Sequence, residues 1–193
     1  EVLGKDYIPG VINLVHGKGS VVGEAITNHE DIDLISFTGS TDVGKRINAV
    51  AGASLKRVSL ELGGKNAQIV MDDANQDLAL EAVLWGAFGT TGQRCTATSR
   101  LILHEKIYDE FIKKLVAKAG KLRLGYGNDK GVDVGPCVSE SQRNSVNEYV
   151  QIGKNEDKAK LVLGGEFAND GTLAKGWFYK PTIFVDVTPE MRI

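Results

Sequence analysis

Cysteine is scarce in this chain: Cys95 and Cys137 are the only two among 193 residues. Two thiols cannot build a disulfide framework, and theirs is not the spacing of a zinc site. The plain reading is a pair of reduced thiols in an intracellular protein, so a cytoplasmic location is expected. Long apolar runs are also missing. No window approaches the ~18 uninterrupted apolar residues of a membrane span, so no membrane partner is expected. Nor is there an excess of one charge: 23 Lys and Arg against 25 Asp and Glu leave a net charge of −2. That balance supplies no basic field for nucleic acid or anionic lipid. The three histidines, His16, His29 and His104, lack metal-ligand spacing and read as surface residues, and no metal is expected. With only four prolines and no Gly-X-Y period, collagen-like and low-complexity chains are excluded.

Glycine, in contrast, is plentiful, at 23 of 193 residues or about 12%, against a usual ~7%. These residues must serve turns, caps and close backbone approaches. A hydrophobic share of 42% with 25% charged residues has the proportions of a globular protein and excludes global disorder. The length allows one ordinary domain or parts of two. The chain opens Glu1-Val2-Leu3 rather than with Met and stops at Met191-Arg192-Ile193, just after a strand-like run. Both ends therefore read as cut.

Strand-like and helix-like stretches alternate throughout, the pattern of an α/β fold. After a turn at Pro9-Gly10, Val11-Ile12-Asn13-Leu14-Val15 reads as a short strand, and residues 21–28 as a brief helix. Residues 33–38 form a compact apolar run ending at Gly39, the pattern of a buried parallel strand. Residues 41–51 carry Val43, Ile47 and Val50 on one helical face. Strands are expected at 57–62 and 67–71, separated by Gly63-Gly64. Residues 76–88 form a helix that is apolar almost all round, which predicts burial. A strand at 98–103 precedes the most regular helix, 106–122, whose apolar pairs recur at four-residue steps. Ser139 with Gln142 fits a capping box opening a further helix. Strands at 160–163 and 178–187 close the chain. The expected internal boundary lies near Gly63-Gly64 to Asp73, and the chain is divided as 1–63 and 64–193.

Three local patterns carry chemistry. Gly39-Ser40-Thr41-Asp42-Val43-Gly44 stands where a strand ends and a helix begins. Unpaired N–H groups and the helix dipole attract phosphate there, although a helix needing only glycine packing has the same pattern. Lys45 makes the run similar to a P-loop, but Arg46 replaces the hydroxyl that would hold magnesium. Ser59-Leu60-Glu61-Leu62-Gly63-Gly64-Lys65 puts one carboxylate at the end of an apolar strand. In a partly dry setting Glu61 would suit a general base, and in an open one a solvated strand end. Gly92-Gln93-Arg94-Cys95 follows the apolar helix and brings a thiol into a glycine-bearing loop. There it is either a reactive nucleophile, with Arg94 near it, or an inert small hydrophobe. Cys137, beside Gly135-Pro136, reads as structural.

In register, these patterns resemble the aldehyde dehydrogenase superfamily: Phe37-Thr38-Gly39-Ser40-Thr41-Asp42-Val43-Gly44 its cofactor-phosphate turn, Leu60-Glu61-Leu62-Gly63-Gly64-Lys65 its glutamate motif, Gly92-Gln93-Arg94-Cys95 its cysteine motif. Seventeen residues separate Gly44 from Glu61, and 34 separate Glu61 from Cys95. Similarity continues through Tyr108-Asp109-Glu110-Phe111 and Gly176-Trp177-Phe178-Tyr179-Lys180-Pro181-Thr182. The resemblance implies the later part of a Rossmann-type cofactor domain (1–63) and an incomplete α/β catalytic domain (64–193). It implies NAD or NADP as cofactor, a small aldehyde as substrate and a homo-oligomer. Gly39, Ser40, Val43, Gly44, Glu61 and Leu62 would bind cofactor. Cys95 would form a thiohemiacetal and then a thioester, which a water deprotonated by Glu61 would hydrolyse. The cysteine motif is similar to that of semialdehyde-oxidising members, and Arg94 could face a substrate carboxylate or serve only structure. Thr90 stands where many members carry asparagine. A P-loop nucleotide hydrolase and a non-catalytic relative are the alternative readings. A middle segment of this kind is expected to be inactive alone.

Overall fold

Residues 34–62 form strand, helix, strand. The computed structural model describes Ile8 and residues 10–193, so the expected turn at Pro9 lies outside the described residues. Contacts divide the chain into two compact units, Glu1–Gly63 and Gly64–Ile193.

In the first unit a π-helical turn, Gly19–Gly23, runs into α1 (Glu24–Asn28). β1 (Leu34–Gly39) pairs in parallel with β2 (Arg57–Leu62), from Leu34 opposite Arg57 to Gly39 opposite Leu62. Between them runs α2 (Thr41–Ala53), and Ile35, Ile47 and Ala51 form the small core, with Phe37, Val58 and Leu60 packed against it. The buried face of α2 is Gly44, Ile47 and Ala51, not the expected Val43, Ile47 and Val50. Val43 is instead 44% exposed. β1 is parallel as expected but buried on one face only: Ile35 is inside while Leu34 is 54% exposed. The strand expected at residues 11–15 does not form. An apolar run becomes a strand only by joining a ladder, and among the described residues the sheet of this unit holds only β1 and β2.

In the second unit β3 (Asn66–Val70) pairs in parallel with β4 (Thr98–Leu103). The register slips after the first pair: Asn66 faces Thr98, but Ala67 faces Arg100, so Ser99 is skipped. α3 (Gln76–Phe88) starts on an Asn75 cap, whose Oδ1 accepts from the Leu78 N–H at 3.1 Å. It lies close against β4, where a Cβ on Gly86 would stand 2.5 Å from Thr98 Oγ1. α4 (Tyr108–Ala119) adds Phe111, Leu115 and Ala119 to a core with Val70, Leu80, Val83 and Leu84. The expectation that α3 is buried all round fails, because Leu78 and Trp85 are 69% and 66% exposed. Only the face turned to β4 and α4 finds apolar partners.

α5 (Glu140–Asn155) opens on Ser139, whose Oγ accepts from the Gln142 N–H at 3.1 Å. β5 (Lys160–Leu163) pairs antiparallel with β6 (Ile183–Val185). The long strand expected at 178–187 is broken: Tyr179 makes an isolated bridge to Phe167, and regular pairing resumes at Ile183. Pro181, which has no N–H to give a ladder, stands between them. Tyr179 is buried, donates to Asn147 Oδ1 at 3.0 Å and packs edge-on to Phe167.

Burial, with the nearby Glu166 carboxylate, pushes the Tyr179 phenol up to about 12. The folded chain therefore holds this proton after the unfolded chain has released it near pH ~10. The stabilisation is complete below that pH and disappears as pH rises toward about 12. Tyr179→Phe is expected to remove the latest phase from a near-ultraviolet tyrosine titration and to flatten the alkaline decline in stability. A titration curve that keeps the late phase in the variant would contradict this.

Candidate functional site

The carboxyl ends of β1 and β2 bring six of the expected residues to one edge of one sheet. Gly39 ends β1 and Leu62 ends β2, directly opposite each other, and Glu61 stands opposite Thr38. Ser40 caps α2, its Oγ accepting from the Val43 N–H at 3.4 Å. The N–H groups of Thr41 and Asp42 begin the helix and have no intrahelical acceptor, so they point outward at the positive end of the dipole. Val43 adds an exposed apolar side chain in the same turn. Ligands of open α/β sheets bind beyond the carboxyl ends of the strands, and these residues occupy that place.

Gly44 is different. It is buried against β2, and a Cβ there would come within 2.6 Å of Leu62 Cδ2. Its lack of a side chain lets α2 lie on Leu62, so it packs helix to strand instead of meeting an anion. The P-loop reading also ends here. In this chain Thr41–Ala53 is already helix, so only Ser40 separates strand from helix and no loop is left to wrap a phosphate. Glu61 is exposed, and the first unit alone does not give it the partly dry setting considered above.

The thiol lies in the second unit, on the loop between α3 and β4. A 3-10 turn, Gly89–Gly92, leaves α3 through three successive left-handed residues: Thr90 at φ 52°, Thr91 at φ 60° and Gly92 at φ 66°. Positive φ strains a β-branched residue, so Thr90 and Thr91 hold this backbone at a cost. A Cβ on Gly92 would meet the Ala87 carbonyl at 2.8 Å. Next comes a turn closed by the Ala97 N–H donating to the Arg94 carbonyl at 3.0 Å. Cys95 stands in that turn, exposed, and its N–H has no acceptor among the described residues. Cys137 is buried, with its thiol pushed up by burial.

Sequence reasoning missed the residues that hold this loop. Asn66, at the start of β3, donates its side-chain amide to the Cys95 carbonyl at 2.6 Å and to the Ala97 carbonyl at 3.3 Å. The skipped register beside Asn66 re-aims that end of the strand, as bulges do. On the other side Thr91 Oγ1 donates to the Gly135 carbonyl at 3.1 Å, and Gln93 makes two bonds to the same segment. The Gly-Gln-x-Cys pattern marks Gln93; Asn66 has no comparable signal. Arg94 is committed elsewhere, its guanidinium 3.7 Å from the Trp85 ring centroid and its Nη2 donating to the Trp85 carbonyl at 3.2 Å.

The aldehyde dehydrogenase family model matches residues 6–193. The chain belongs to the aldehyde dehydrogenase family. It is 47% identical over 196 residues to the 2,5-dioxopentanoate dehydrogenase of Saccharolobus solfataricus, covering 100% of this chain and 40% of that protein. It is also 47% identical over 188 residues to aldehyde dehydrogenase, cytosolic 1, of Rattus norvegicus, covering 97% of this chain and 36% of the relative. Among solved structures, betaine aldehyde dehydrogenase of Staphylococcus aureus in complex with NAD+ superposes with a TM-score of 0.88 at 36% identity. That match covers 91% of this chain and 35% of the other. The α/β fold is thus that of a partial aldehyde dehydrogenase. The chain spans about two fifths or less of the length of these curated relatives. Among the described residues no helix is long and apolar enough to cross a membrane.

The β1/β2 edge fits the phosphate-bearing part of a dinucleotide. It offers helix N–H groups and a serine hydroxyl in the open, with apolar Val43 beside them.

Proposed function

We propose that the intact protein oxidises an aldehyde to a carboxylic acid with NAD+ or NADP+, through a covalent intermediate on Cys95. One observation carries the reading: of two cysteines, the one in the family's cysteine motif stands exposed on a loop pinned from both sides, and the other is buried. The Cys95 sulfur adds to the aldehyde carbon, forming a tetrahedral oxyanion, and the unpaired Cys95 N–H donates to it. The bound nicotinamide supplies the hydride acceptor. A thioester on Cys95 results, and Glu61 takes the proton from the water that hydrolyses it. Gly39, Ser40, the first turn of α2 and Val43 hold the cofactor, and Leu62, seated against Gly44, shapes its surroundings. Units 1–63 and 64–193 serve as part of the cofactor domain and part of the catalytic domain. The protein works as a cytoplasmic homo-oligomer, and the segment alone does not turn over.

The proposed substrate is the semialdehyde of a dicarboxylic acid. Support comes from the likeness to a 2,5-dioxopentanoate dehydrogenase, whose named substrate is the semialdehyde of 2-oxoglutarate. The test is a kcat/KM survey of the intact enzyme on 2-oxoglutarate semialdehyde, succinate semialdehyde and short unsubstituted aldehydes, with each cofactor. The semialdehydes are expected to lead by about tenfold or more, the scale on which one added substrate contact discriminates. A preference for unsubstituted aldehydes would remove the substrate assignment, and no oxidation with either cofactor would remove the activity.

A further inference from the structure

Gln93 grips a distant stretch of backbone at two points. Its Nε2 donates to the Pro136 carbonyl at 3.3 Å, and its Oε1 accepts from the Val138 N–H at 2.9 Å. The two bonds bracket Cys137, whose own N–H is held by the Trp177 carbonyl at 2.8 Å. One amide thus fills both hydrogen-bonding roles that a neighbouring strand would fill. Beneath this stretch lies a packed cluster: Cys137, Val150 and Tyr179 are buried together, with Phe167 and Phe184 against them. The gripped segment is therefore anchored, and Gln93 is tied to a rigid part of the unit.

We propose that Gln93 is a positioning residue for the nucleophile, fixing the direction of Cys95 by splinting its loop to the 135–138 segment. The inference rests on Cys95 being the nucleophile. Three observations make the splint consequential. Gln93 lies two residues before Cys95 and is itself exposed, so it contributes little to the core. The turn before it holds Thr90 and Thr91 at positive φ, a backbone that persists only where its surroundings over-determine it. The Thr91 hydroxyl adds a third bond to the same segment, at the Gly135 carbonyl. With Asn66 holding the Cys95 carbonyl from the other side, the backbone that carries the thiol is held at both flanks.

Two variants of the intact enzyme test the proposal. Gln93→Leu keeps the approximate size and loses both bonds. Its kcat is expected to fall about tenfold or more, with KM for aldehyde and cofactor within about twofold, because misplacement by a fraction of an ångström acts on the reacting geometry. Gln93→Glu keeps the acceptor for the Val138 N–H but, when ionised, sets a carboxylate oxygen against the Pro136 carbonyl. Protonation restores a donor of the same shape. The ratio of variant to parent kcat is therefore expected to rise as pH is lowered toward the ordinary carboxyl range near ~4.3. A residue whose two bonds do not bear on Cys95 would show no such recovery in kcat per folded enzyme. Cys95→Ala, run in parallel, separates the two layers. If it abolishes turnover while Gln93→Leu works at the parent rate and the Gln93→Glu ratio stays flat with pH, the positioning role is overturned and the nucleophile stands. If Cys95→Ala retains turnover, the nucleophile reading itself fails.

Discussion

Cys95→Ala is expected to lower aldehyde oxidation by the intact enzyme by ~10⁴-fold or more, the scale seen when a covalent nucleophile is removed. Ester hydrolysis should be lost with it, since both reactions use the same sulfur. Without that atom no bond forms to the carbonyl carbon, and no thioester exists to be hydrolysed. Cys137 cannot substitute. It is 5% exposed, its thiol is pushed up by burial, and it is packed in a cluster with Val150, Tyr179 and Phe167. The fold should tolerate the change, because Cys95 is exposed and the bonds around it are made by backbone atoms and by Asn66, Thr91 and Gln93. Steady-state rates of cofactor reduction and of ester cleavage, measured side by side, check the expectation. Oxidation near the parent rate in the variant would remove Cys95 from the chemistry. A non-catalytic relative would show no oxidation in either protein, and the Cys95 thiol of its parent would react with alkylating reagents at an ordinary, slow rate.

Glu61→Gln should act on a different step. The substitution is nearly isosteric, and the side chain is exposed at the end of β2, so β2 keeps its pairing with β1. What is lost is a base. Steady-state turnover is expected to fall by ~10²–10⁴-fold, the ordinary contribution of a general base, while the first turnover stays fast. Rapid mixing with aldehyde and cofactor should therefore give a burst of reduced cofactor approaching one per site, followed by a slow phase. A variant in which the first turnover slows as much as the steady state would mean that Glu61 serves an earlier step.

Much of the fold is legible in local sequence because local rules determine it. The strand at 57–62, the helix at 76–88 and the strand at 98–103 stand where period and punctuation put them. Each has a strong pattern and a breaker at its end, such as Gly63 or Gly89. The failures share one cause. Whether residues 11–15 join a ladder, which face of α2 is covered, and how much of α3 is buried all depend on what lies opposite in space. Pro181 does show in the sequence as a breaker, and the interrupted pairing between Tyr179 and Ile183 follows from it.

The candidate site divides in the same way. Glu61, Cys95 and the Gly39-Ser40 turn stand out in the sequence as candidates because the proposed chemistry calls for those residue types at a strand end or in an open loop. Their supports are not. Asn66 acts across 29 residues on the Cys95 carbonyl, and Gln93 acts across 43 and 45 residues on Pro136 and Val138. No local periodicity encodes such pairs. Gly44 shows the converse, a glycine with a ligand-site pattern whose missing side chain is filled by Leu62.

The most direct measurement is to quench Glu61→Gln enzyme during the slow phase with aldehyde and cofactor present, then map the protein by peptide mass. The peptide containing Cys95 is expected to carry the mass of the aldehyde less two hydrogens, the signature of an acyl group joined to sulfur after hydride loss. The same peptide should be unmodified when cofactor is left out. An acyl group found on any other residue, or none at all while the variant accumulates reduced cofactor, would contradict the account.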